Sequence, residues 1–313
     1  MSRATLPNFI IVGVSRAGTT TMFNALSGHP QICSSSSKET RYFQPIRYGE
    51  SLSPLSDYEA YFRRCGGRPV TMECTPDYFY GGAATAAAIK EVCDPRVTII
   101  LREPFSRLIS FFRFMQVRLQ VPAQMTLTDY VRRCAAIPDA EINRRANNTF
   151  TGLWGGQYAR HLPAWLDAFP GRCDLFTFDQ LSSDPEGLLA EQCRRLGISA
   201  EGATPIIDAE NTSASYRSPT AQRAAAAAAK RSRSLFRRYP ALYSGSRRVY
   251  ERINQRDDTP AVVPAYLRRE ISAIYRPWNE LLAQQLRDAG FANLPTWLDD
   301  DDPTRHDVSP WLT

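Results

Sequence analysis

One short stretch, NFIIVGVSRAGTTTMFNAL from Asn8 to Leu26, contains a strand, a glycine turn and the start of a helix. Residues 8–13 are apolar enough for a buried strand, and the pattern from about Thr19 to Leu26 suits a helix that opens directly after Gly18. Gly13 and Gly18 stand at the separation of the two glycines in G-x-x-x-x-G-K-[ST], a loop whose backbone amides cradle phosphates. Such a loop needs a strand before it and a helix after it, and this commits the chain to an α/β core. Thr19, however, occupies the place of the lysine with which a nucleotide hydrolase grips its phosphates. The loop is suited to an anion, and the usual ATP contact is missing.

The rest of the chain repeats the alternation. A buried strand VTIIL at 97–101 leads into REPFSRLISFFRFM, where Leu108, Phe111, Phe112, Met115 and Leu119 follow helical spacing and Pro104 fits the first turn. Short helices are expected in DYEAYFRRC and AATAAAIKEVC, and an amphipathic one in GGQYARHLPAWLDAFP. A third strand, DLFTF at 174–178, precedes a helix in DPEGLLAEQCRRLGI with acidic residues at its start and Gly197 near its end. Strands separated by helices predict an α/β fold: a parallel sheet flanked by helices, with ligands outside the carboxyl ends of the strands. After about Pro205 the pattern turns helical and arginine-rich, which gives a helical C-terminal region. The 313 residues are read as one domain over 1–298, followed by an acidic, proline-containing tail over 299–313.

Composition narrows the class. Charged residues at 22% and hydrophobic residues at 43% are ordinary for a folded domain and exclude general disorder. The seven cysteines, Cys33, Cys65, Cys74, Cys93, Cys134, Cys173 and Cys193, are odd in number, scattered and without C-x-x-C pairs, so they read as reduced thiols without zinc. The apolar run from Phe9 to Val14 is too short for a signal segment or a membrane span, and a cytoplasmic location is the expectation. No metal and no nucleic-acid partner are expected. The net charge of +6 favours an anionic ligand, but only Lys38, Lys90 and Lys230 are lysines. A cluster such as Arg231, Arg233, Arg237 and Arg238 reads as a polyanion track or as a solvated helix face.

Three segments carry the candidate chemistry. In the first, amides at the helix start, the hydroxyls of Thr19 and Thr20 and the permanent charge of Arg16 can surround an anion; Gly18 permits close backbone approach. Arg16 is equally readable as a surface arginine on a tight turn. In the second, LREPFSRLIS, Arg102 sits where a strand ends, and Ser110, eight residues on, can return its hydroxyl to the same edge. A second phosphate fits there, as does a purely structural pair. In the third, SSSSKETRYF, Glu39 is a candidate base in a polar loop just before two aromatic anchors, or else one member of an ion pair with Lys38 and Arg41. Glu73 and Asp77, in MECTPDYFY, are carboxylates near a core segment.

Taken together and in this order, the segments resemble the sulfotransferases that use 3′-phosphoadenosine 5′-phosphosulfate (PAPS), most closely the group with heparan-type and tyrosylprotein enzymes and bacterial homologues. The resemblance implies a P-loop-NTPase-like fold in which Arg16, Ala17, Gly18, Thr19 and Thr20 match the [K/R]-x-G-T-T element that grips the 5′-phosphosulfate. Arg102, Glu103, Pro104, Arg107 and Ser110 match R-[DEN]-P-x-x-R-x-x-S, whose arginine and serine grip the 3′-phosphate. Glu39, ahead of Tyr42 and Phe43, matches the catalytic base, and Arg16 would stabilise charge on the bridging oxygen. The family often directs a late basic segment to the adenine and 3′-phosphate; SASYRSP, with Tyr216 and Arg217, is the candidate here, or is a structural loop. Two positions depart from the pattern: Cys74 stands where glycosaminoglycan-modifying members usually have lysine, and Arg16 where many members have lysine. The acceptor implied is a hydroxyl or amine on a saccharide or small metabolite, and the transfer needs no metal. A P-loop kinase and a noncatalytic polyanion-binding protein are the competing readings.

Overall fold

Phe9–Gly13 (β1) is buried at every residue and lies at the centre of a five-stranded, all-parallel sheet. Ile32–Ser34 (β2), Val70–Cys74 (β3), Arg96–Leu101 (β4) and Cys173–Thr177 (β5) complete it in the order β2-β3-β1-β4-β5. In this computed structural model the described residues are 6–202, 215–216, 255–256, 263–291 and 294–298. In a parallel sheet covered on both faces, Phe9, Ile10, Ile11 and Val12 of the central strand are all buried, hence the absence of polar alternation. The order reverses at β1, so the loops after β1 and its neighbours converge at the carboxyl edge, where open α/β sheets place their ligands.

Among the described residues the α-helices are Thr19–Ser27 (α1), Leu55–Glu59 (α2), Gly82–Val92 (α3), Pro104–Val117 (α4), Leu127–Ala135 (α5), Leu162–Ala168 (α6), Phe178–Ser183 (α7), Pro185–Arg195 (α8) and Ala265–Asp288 (α9). Pro104 opens α4 behind Glu103, whose carboxylate accepts the amides of Phe105 at 2.8 Å and Ser106 at 2.6 Å. The sheet and its covering helices share one apolar cluster; α4, α5 and the first half of α9 form a second around Leu108, Tyr130 and Ile271. Helix α9 joins the two: Leu267, Ile271 and Tyr275 enter the helical cluster, and Leu282, Ala283 and Leu286 enter the sheet core. Two short strands, Ser215–Tyr216 (β6) and Gln255–Arg256 (β7), pair antiparallel. Among the described residues no helix is long and apolar enough to cross a membrane.

Several expectations are corrected. The sequence reading found no strand at β2 or β3, because a three-residue edge strand and the mixed run VTMEC lack a clean period. Phe178 does not end β5 but begins α7, behind a reciprocal cap between Thr177 and Gln180. Leu119 lies beyond α4, at φ 58°. The stretch GGQYARHLPAWLDAFP is two single 3₁₀ turns followed by α6 rather than one amphipathic helix. The cysteines are not all free thiols: Cys33 in β2 is disulfide-bonded to Cys65, 32 positions on. The expected tail at 299–313 lies outside the described residues.

Candidate functional site

The loop between β1 and α1 is held mainly through its carbonyl groups. Arg107, 1% exposed, donates Nε to the carbonyl of Ser15 at 3.1 Å and Nη1 to that of Gly152 at 3.0 Å. Arg102 donates Nη1 to the carbonyl of Arg16 at 3.2 Å. The Val14 amide donates to Ile100 at 3.0 Å, and the Ala17 amide closes the turn on Val14 at 3.2 Å. Gly18 then starts α1 at φ 82°, with no side-chain cap and no acidic residue in the first turn. That leaves the positive end of a helix facing the loop. Gly18 also leaves room for α7: a Cβ there would lie 2.5 Å from Leu181 Cδ2 and 3.1 Å from Phe178 Cδ2. Thr19 is buried and Thr20 is exposed.

Arg16, itself at φ 73°, donates Nε to Ser110 Oγ at 3.0 Å, and its guanidinium lies 4.8 Å from the centre of the Phe114 ring. Arg102 lies over Phe178 at 4.2 Å. Burial lowers the Arg16 pKa to about 10, helped by the like charges of Arg102 and Arg107. Three guanidiniums from the loop, the end of β4 and α4 are thus collected at one edge, which favours a polyanion with at least two charged groups. From sequence, Arg16 and Ser110 stood at opposite phosphates; the structure bonds them directly. Arg107 was matched only as part of a motif. Its fixing of the Ser15 carbonyl shows in the fold alone.

The second half of the site stands on β3, next to β1. The Glu39 amide donates to the carbonyl of Cys74 at 2.9 Å, while the Cys74 thiol points to the carbonyl of Thr19 at 3.8 Å, so the end of β3 touches both loops. Glu39 and Arg41 both have left-handed backbones, at φ 61° and 59°. The Glu39 carboxylate, 32% exposed, is paired with Lys38 Nζ at 3.3 Å and Arg41 Nη2 at 2.5 Å. The ion pair that the sequence also allowed is therefore present. Burial pushes the Glu39 carboxyl up, but Lys38 and Arg41 outweigh it and hold the pKa below the usual glutamate value. Tyr42 stacks on Tyr58 with centroids 4.4 Å apart, and Phe43 meets Tyr58 and Tyr78 edge-on, which anchors the loop. Asp77 is a second carboxylate here, bonded by Gln44 Nε2 at 3.4 Å. Burial and the nearby charge of Glu39 raise its pKa. Glu73 is fully buried beneath the loop and cannot reach an acceptor. The Tyr216 backbone pairs with Gln255 in β6 and β7, and Arg217 lies outside the described residues.

No family model matches the chain. Over 195 residues, 62% of this chain, it is 30% identical to human heparan sulfate glucosamine 3-O-sulfotransferase 3B1, covering 46% of that protein. Human bifunctional heparan sulfate N-deacetylase/N-sulfotransferase 3 is 27% identical over 62% of this chain and 22% of its own length. The chain thus spans less than half of these two curated relatives. Among solved structures, a sulfotransferase from Alicyclobacillus acidocaldarius superposes with a TM-score of 0.63 at 18% identity, over 90% of this chain and 96% of that one. The α/β fold with its five-stranded parallel sheet is that of a sulfotransferase, and the resemblance of the three sequence segments to sulfotransferases is borne out.

Proposed function

We propose that this chain is a sulfotransferase that moves the sulfuryl group of PAPS to a hydroxyl or amine of a saccharide or small-metabolite acceptor. The observation that carries the reading is the cluster of Arg16, Arg102 and Arg107 around a loop that opens into an uncapped helix start. A donor with a 5′-phosphosulfate and a 3′-phosphate supplies two anionic groups for these cations. The loop over 16–20 would hold the first, and Arg102 with Ser110 the second. A sulfuryl group carries less charge than a phosphoryl group, so Thr19 in place of a lysine is consistent with this donor. Similarity to heparan sulfate enzymes makes a saccharide acceptor the first to try.

Glu39 is proposed to take the acceptor proton as the acceptor attacks sulfur in line with the departing phosphate, and Arg16 to offset charge on the bridging oxygen. The test is a screen of saccharide, phenol and amine acceptors with labelled PAPS, read as a mass gain on the product. Transfer to at least one class is expected. Binding of adenosine 3′,5′-bisphosphate without transfer to any class would leave a noncatalytic binding protein.

A further inference from the structure

We propose that Glu73 is a positioning residue for the Glu39 loop, acting through three hydroxyls that it orients toward three consecutive backbone amides. This rests on the reading of Glu39 as the base. Oε1 of Glu73 accepts from Thr40 Oγ1 at 2.5 Å, Thr75 Oγ1 at 2.9 Å and Tyr78 OH at 2.8 Å. Each of these oxygens has a second partner in the loop. Thr75 Oγ1 accepts the Arg41 amide at 3.3 Å, Thr40 Oγ1 the Tyr42 amide at 3.4 Å and the Tyr78 hydroxyl the Phe43 amide at 3.2 Å. A hydroxyl has one proton to give. With all three protons directed at Oε1, the lone pairs face the amides of 41, 42 and 43. Thr40 Oγ1 and the Tyr78 hydroxyl also lie 3.2 Å apart, where either could donate, and the acceptor-only carboxylate oxygen is the hub that draws both protons and leaves lone pairs for the amides.

The placement matters because the loop does not hold itself in shape. Glu39 and Arg41 are non-glycine residues in the left-handed region, a conformation that persists only where surrounding bonds impose it. The Arg41 amide is held by this network, and the Arg41 guanidinium in turn holds Glu39 Oε2. Glu73 thus acts on the base at one remove and touches no reacting atom. On its other oxygen, Tyr58 OH is bonded to Oε2, and Tyr58 carries the stacked Tyr42. The charged and titratable groups around the pair are Lys38, Arg41, Asp77 and Cys74 near Glu39, and Tyr58, Tyr78, Cys74 and Cys93 near Glu73.

The test compares Glu73→Gln with Glu73→Met in the full chain. Glutamine keeps an oxygen for the three hydroxyls and offers its amide to Tyr58; methionine fills the space with no acceptor. Hydrogen exchange should show amides 41–43 protected in the parent and in Glu73→Gln, and at least tenfold faster in Glu73→Met. With an acceptor from the screen, Glu73→Met should lower kcat at least tenfold with the KM for PAPS unchanged. Its acid limb in pH should also move up as Arg41 leaves Glu39. If Glu73→Met does not fold, Thr75→Val removes one relay alone and should speed exchange at Arg41. Unchanged exchange at 41–43 in a folded Glu73→Met, or equal losses in Glu73→Gln and Glu73→Met, overturns the proposal. So does an unmoved acid limb in a variant with disordered amides. The exchange readout needs no PAPS chemistry, so a failed acceptor screen and a failed Glu73 role remain distinguishable.

Discussion

Glu39 combines exposure, an ordered backbone and two cationic partners, which makes its titration the informative residue-level property. Its pKa is held below the ordinary glutamate value, so the ionised form is complete at neutral pH and is lost only as pH falls through that lowered value. The acid limb of turnover should accordingly lie below the ordinary carboxylate range. Lys38→Met should move it upward, and pH profiles of kcat for both proteins check this; coincident profiles would remove Lys38 from the balance. Glu39→Gln should bind donor normally and lose roughly 10²–10⁴-fold in turnover. Activity within a few-fold of the parent would shift the base role to Asp77, whose pKa is raised by burial and by Glu39. Arg16→Ala should lower the single-turnover rate at saturating donor more than it lowers donor affinity, with partial rescue by lysine. Loss of affinity alone would make the loop only a donor cradle. The identities of Arg16, Glu39, Arg102 and Ser110 as candidates were legible in short motifs. Their partners were not: the Arg16–Ser110 bond spans 94 positions and the Thr40–Glu73 bond 33.

At the level of elements, the loop geometry depends on what packs behind it. Gly18 is needed for its left-handed backbone and for the approach of Leu181. Gly18→Ala should destabilise the chain by at least about 1–2 kcal/mol, read by denaturant unfolding. A neutral outcome would mean that α7 yields. The disulfide between Cys33 and Cys65 ties β2, which leads into the Glu39 loop, to the turn after Tyr58. Closing a loop of this separation contributes about 3–4 kcal/mol in the chain-entropy description. Replacing both cysteines by serine should lower stability on that scale, and reductant should then destabilise the parent but not the variant. The strands β1, β4 and β5 showed in sequence through their apolar stretches FIIV, VTIIL and LF, each set directly before a turn or a helix signal. By contrast, β3 escaped because Thr71 and Glu73 interrupt its pattern, and both are buried where β2, β1 and the Glu39 loop supply partners. The cysteine pairing was illegible because no spacing rule links positions so far apart.

For the whole molecule, the alternation of strands and helices fixed the class, and the switch in strand order at β1 explains why segments from residues 13 to 110 meet at one edge. Helix α9, far along the chain, completes both apolar clusters, so this helix is part of the same core that supports Arg107. Counting free thiols in native protein checks the Cys33–Cys65 bond, with five expected if it is kept and seven if it is reduced. The donor assignment is tested most directly by calorimetry of the parent and of Arg102→Ala with adenosine 3′,5′-bisphosphate, adenosine 5′-monophosphate and ATP. The parent should bind the bisphosphate more tightly than either of the others, and Arg102→Ala should lose that preference while its affinity for the monophosphate hardly changes. Tighter binding of ATP by the parent, or equal losses for both adenosine ligands in Arg102→Ala, would contradict a site built for PAPS.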